Sequence, residues 1–139
     1  MNTNELKTKI NQIIFHLIAI DNINKDIHYT AHGESFYSKH IFVEKFNFGE
    51  DIDLIKESIL LGNSIRPLSS IEYLIGAINL LKPVNENDDR INFEYLKEIL
   101  INTYKLINET NIDNICNTIL TDIGVKILQY IGLINLQLE

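Results

Sequence analysis

Leu6, Ile10, Ile13, Ile14 and Leu17 recur at steps of three and four residues. That is the helical period, and residues so spaced line one face of a helix that needs a partner to cover it. Two prolines and six glycines in 139 residues leave room for long helices of this kind. The first is predicted from Thr3 or Asn4 to Tyr29. Its stripe continues through Asp21 and Asn24 to His28, so an apolar face leads into a polar site.

Gly33 breaks that helix, and Glu34-Ser35 can open a second, from about Ser35 to Leu61. Phe36, His40, Val43 (or Glu44) and Asn47 share one of its faces. Gly49 is a plausible kink, and Ile52, Ile55, Ile59 and Leu60 rebuild an apolar face beyond it. Gly62-Asn63 supplies a helix end. After Arg66-Pro67-Leu68, Ser69 or Ser70 can cap a short helix that Pro83 stops near Leu81. A third long helix follows from Asp88 or Asp89 to Glu109, with Ile91, Tyr95, Leu96, Ile99, Leu100, Thr103 and Leu106 on one stripe. Thr110 to Asp113 is a tight connection. A fourth uses Ile115, Ile119, Ile123, Ile127, Tyr130, Ile131 and Ile134. The expected fold class is all-α: a single domain over residues 1–139, a four-helix bundle with a short extra helix between the second and third long helices.

The net charge is -7. Phosphate neutralisation needs basic patches or tails, and Met1 to Lys9 holds two lysines and no arginine. DNA binding is therefore not expected. An acidic balance suits attraction of small cations and equally suits an ordinary soluble protein. Cys116 is the only cysteine. It excludes an intramolecular disulfide, points to a reducing setting, and sits where packing rather than nucleophilic chemistry is expected. No signal peptide is evident. The apolar run from Ile13 to Ile20 is interrupted by His16 and is far shorter than the ~20 residues that span a bilayer. No membrane partner is expected, and the location is cytoplasmic (virion-associated if phage encoded).

The stretch that carries chemistry runs from His28 to Glu44. Imidazole nitrogen and carboxylate oxygen together suit Fe(II) without a thiolate. His40 and Glu44 are neighbours at i and i+4, and a turn at Gly33 can bring His28 beside His40. An open coordination position would admit peroxide or oxygen.

This stretch resembles the signature of the Dps class, the miniferritins of the ferritin-like superfamily. There a histidine-aromatic pair ends the first helix, then come a glycine, a phenylalanine, a histidine and, one turn later, a carboxylate. His28, Gly33, Phe36, His40 and Glu44 fall in that register without a gap, with Tyr29 in place of the common tryptophan. Asp53 to Glu57 resembles the family's aspartate and glutamate one turn apart, and Leu61-Gly62 its helix end. The likeness covers roughly residues 20–62.

It implies a ferritin-like bundle with one long crossover. It further implies a ferroxidase that oxidises Fe(II) with peroxide or oxygen and stores ferric iron in a homo-oligomeric cage, a dodecamer of two-fold dimers. His28 and His40 of one subunit would face Asp53 and Glu57 of a second, with Glu44 nearby.

One departure bears on the site. From His40 to Asp53 the chain is two residues shorter than the family's usual spacing, which in a continuous helix rotates every later residue by ~200°. Either the Gly49 region absorbs the change by a kink or looped turn, or Asp51, seven residues after Glu44, substitutes. Blander readings stand beside these. His16 packs in the first helix, and His32 is solvated or capping. His28 and His40 line a helix junction, and Asp51, Asp53 and Glu57 form a solvated face. The competing function is a catalytically silent ferritin-like structural or interaction protein, phage or mobile-element encoded.

Overall fold

In a computed structural model, which describes residues 2–30, 46–110 and 115–139 (the Ile115 side chain excepted), the described chain is helical and has no β-strand. Helix α1, Thr3–Thr30, is 28 residues and so about 42 Å long. Asn2 starts it: its Oδ1 accepts the Glu5 N–H at 2.8 Å. Leu6, Ile10, Ile13, Ile14 and Leu17 are all buried, as the stripe predicts. Each fully buried isoleucine or leucine contributes about 1.5–3 kcal/mol of transfer free energy.

The sequence predicts one helix from Ser35 to Leu61. The structure instead begins α2 at Gly49 and carries it to Asn63. Residues 31–45 lie outside the described residues, and 46–48 are not helical. The physical reason is tertiary contact with distant residues. Phe46 and Phe48 are both buried; the Phe46 carbonyl and the Phe48 N–H are bonded to side chains of α1, and only the Phe48 carbonyl joins the first turn of α2. The turn therefore takes the form of a loop before Gly49. The end of α2 also differs from expectation. Ser64, at φ 54°, supplies the left-handed cap, and Ile65 N–H donates to the Ile59 carbonyl at 3.0 Å.

The short helix α3, Ser70–Ile78, is opened by a reciprocal Ser69–Glu72 capping box. It stops three residues earlier than expected, and Leu80 and Leu81 continue as a turn onto the Ala77 and Ile78 carbonyls. Helix α4, Asp89–Glu109, is capped by Asp88, whose side chain accepts from Arg90 N–H and Ile91 N–H. Its buried stripe includes Phe93, Leu96, Ile99, Leu100, Thr103 and Ile107, while Ile91, expected inside, is exposed. Helix α5, Ile115–Leu138, buries Cys116, Leu120, Ile123, Ile127, Tyr130 and Ile134. It is long and apolar enough to cross a membrane by length and composition, a property that sequence reading did not assign to it. A third of that stretch is buried in the bundle, while Val125, Leu128 and Leu136 are exposed.

Helix directions follow from pairs of contacts. Lys9 near the start of α1 meets Glu109 at the end of α4 at 3.3 Å, and Asp26 near the end of α1 acts on Tyr95 early in α4. Arg90 at the start of α4 donates to the Leu138 carbonyl at the end of α5. Phe48, just before α2, bonds Asp21. Farther along α2, Lys56 lies 4.7 Å over the Tyr73 ring, whose hydroxyl donates to Asn11. Helices α2 and α4 thus both run against α1. Among the described residues α1 packs on α2, α3 and α4, and α5 packs on α2 and α4. The link from residue 64 to 88 must therefore travel back along the molecule, and it carries α3 across α1 on the way.

Candidate functional site

The stripe of α1 changes character after Ile20. Asp21, Asn24 and His28 occupy the i, i+3 and i+7 positions that isoleucine fills lower down. Asp21 and Asn24 both meet backbone. The Asn24 Nδ2 donates to the Phe46 carbonyl at 2.7 Å, and its Oδ1 accepts from the buried Tyr130 hydroxyl of α5. The Asp21 carboxylate accepts the Phe48 N–H, at 3.0 Å to Oδ1 and 3.3 Å to Oδ2. From α5, the Lys126 ammonium donates to the Asn47 carbonyl and to Asp51 Oδ2 at 3.0 Å, and lies 4.5 Å over the Phe48 ring. The rings of Phe46 and Tyr130 stack at 4.2 Å, 10° apart.

Burial sets the electrostatics. It pushes the Asp21 carboxyl up to about 6, against the opposing pull of the Phe48 N–H, Lys126 and Lys25, and the nearby charge of Asp51 adds to the rise. Burial likewise raises the Tyr130 hydroxyl, with Asp21 adding to the effect, so that Tyr130 acts as a neutral donor. Burial pushes the Cys116 thiol up to about 11, which removes it as a nucleophile at neutral pH. His16 is lowered by burial and holds its Nδ1 2.7 Å from the Gln12 carbonyl. It behaves as a packed histidine.

Beside this network lies a cavity of about 330 Å³ lined by Asp21, Asn24, Lys25, His28, Tyr29, Phe46, Asn47 and Gly49. His28 is half-buried at its edge, its ring edge-on to Tyr29 at 5.0 Å. Of the four expected ligands among the described residues (His28, Asp51, Asp53 and Glu57), it is the one that lines the cavity. His40 and Glu44 lie outside the described residues, as do His32, Gly33 and Phe36. Asp51 is half-buried and held by Lys126, so its carboxylate is already engaged. Asp53 and Glu57 are exposed one turn apart on α2, alongside exposed Leu54 and Leu61. They do not line the cavity of their own chain. Among the described residues no three His, Cys, Asp or Glu side chains come together as a metal site.

Sequence reasoning located Asp21 and Asn24 and missed Lys126. The signal was present: Lys126 is the one charged residue of α5 between Asp122 and Glu139. A lone cation in so apolar a helix marks a buried acceptor nearby. No model of a known protein family matches the chain, and no curated protein is similar enough to count as a relative.

Proposed function

We propose that this chain is a ferritin-like, Dps-class protein that binds Fe(II) and oxidises it. His28, His40 and Glu44 would come from one subunit, and Asp53 and Glu57 from a second. The observation that carries this reading is the unbroken register His28, Gly33, Phe36, His40, Glu44. The helix order supports it, because antiparallel neighbours with one long crossover are what a ferritin-like bundle requires. The placement of Asp53 and Glu57 on an exposed face fits acids that serve another copy. Helix α3 also leaves Ile71, Leu74, Ile75 and Ile78 half or more exposed, which favours a homo-oligomer, the dodecameric cage of that class, in the cytoplasm. Iron is substrate and cargo here. Each Fe(II) gives up one electron, and peroxide takes two with two protons to leave water. DNA has no part in this reading, given the acidic charge.

Protein loaded anaerobically with Fe(II) and then given peroxide should develop ferric absorbance faster than a protein-free control. His28→Ala and His40→Ala should each slow that step by roughly tenfold or more. Wild-type rates in both variants would remove the site.

A second reading is favoured by the loop at 46–48 and by the Lys126–Asp51 pair. On it, the fold is kept for assembly alone, as a silent structural or interaction protein of the kind a phage or mobile element carries. Metal analysis separates the two: an assembled oligomer that takes up no iron at micromolar concentration supports the second.

A further inference from the structure

We infer that Phe46–Phe48 is a strap buckled to the bundle by side chains, and that Asp21 makes the buckle respond to pH. Three consecutive residues offer their backbone to three side chains: Phe46 carbonyl to Asn24, Asn47 carbonyl to Lys126, and Phe48 N–H to Asp21. At its far end the Phe48 carbonyl accepts the Ile52 N–H at 2.9 Å and so joins the first turn of α2, while the three side-chain bonds tie the strap to α1 and α5. Two of the three are neutral in effect. The Asn24 amide carries no charge, and Lys126 has Asp51 beside it.

Asp21 is different. It is half-buried against the strap. The charged and titratable groups that face it are Lys25 on its own helix, Asp51 from α2, and Lys126 and Tyr130 from α5. His28 lines the same cavity. When the strap lifts, the carboxyl meets water and returns to an ordinary carboxylate. The closed form therefore binds the proton more tightly than the open one. Acid fastens the strap, and a rise in pH through about 6 loosens it by charging a buried carboxyl. An iron site is not needed for this, since the strap and its three partners are structural whatever the cavity holds.

Amide exchange of residues 46–50 in the intact chain tests it, corrected for intrinsic chemistry and compared with residues 96–103 of α4. Between pH 3.8 and 7 the strap should open more often by up to on the order of 100-fold, while α4 changes less. Asp21→Asn, which keeps an acceptor for the Phe48 N–H, should abolish that dependence. Strap exchange that is independent of pH, or a dependence that survives Asp21→Asn, overturns the proposal. Should that variant fail to fold, the carboxyl resonance of Asp21 in the unaltered protein decides. A midpoint near 6 supports the buckle, and one near 4 defeats it.

Discussion

The two halves of α1 hold their neighbours by different means. Up to Ile20 the buried face is aliphatic apart from Asn11, which accepts the Tyr73 hydroxyl: Ile10, Ile13, Ile14 and Leu17 are fully buried and any close-packed partner would satisfy them. From Asp21 onward the same face offers hydrogen bonds to particular atoms, and those atoms belong to residues 46–48 and Tyr130. The first half contributes most of the stability. The second fixes where the chain must pass, because a buried polar group accepts few alternatives.

Substitutions can sharpen that contrast. Ile14→Ala should cost the most, about 4 kcal/mol, measured as a shift in denaturant midpoint, since a fully buried site cannot collapse around the loss. A cost under about 1 kcal/mol would mean that the aliphatic half is looser than described. Asn24→Ala should cost about 3 kcal/mol, because it strips a partner from both Phe46 and Tyr130. If it instead behaves like a surface change, the polar half is not held by these bonds. Asp21→Asn has the smallest effect and the opposite sign. The folded carboxyl sits above its unfolded value, so the native state loses stability as pH rises from 3.8 through about 6. Removing the charge should therefore stabilise the protein by about 1 kcal/mol at pH 7.5, after allowance for partial exposure, and by little at pH 3.5. Paired denaturant curves at the two pH values measure it.

Much of this organisation is legible in the residues themselves. The apolar period marks α1, Ser69 with Glu72 marks the start of α3, and Asp88 marks the start of α4, because these signals act within one turn of helix. The change of stripe at Asp21 pointed to a polar end. The loop at 46–48 was legible only as one alternative, a kink or looped turn in the Gly49 region. Asn47 is the one turn-favouring residue of the three, and the groups that hold them out of a helix lie 22 to 27 residues earlier and 79 later. For the same reason the face of Asp53 cannot be counted from His40: rotation per residue carries phase only while the helix continues. His28 was placed correctly at the polar end, and Asp51 turned out to be the partner of Lys126.

The crossover between α2 and α4 has a consequence for how fast such a chain finds its structure. An up-and-down bundle closes each helix pair through a short loop and so folds from local contacts. Here the pairs that define the architecture join distant residues: Lys9 with Glu109 spans 100 positions and Asn24 with Tyr130 spans 106. Large loops must close before those contacts repay the entropy lost. This chain should therefore refold more slowly than an all-helical protein of its size with adjacent pairing, and Asn24 must wait for α5 to be made before Tyr130 answers it.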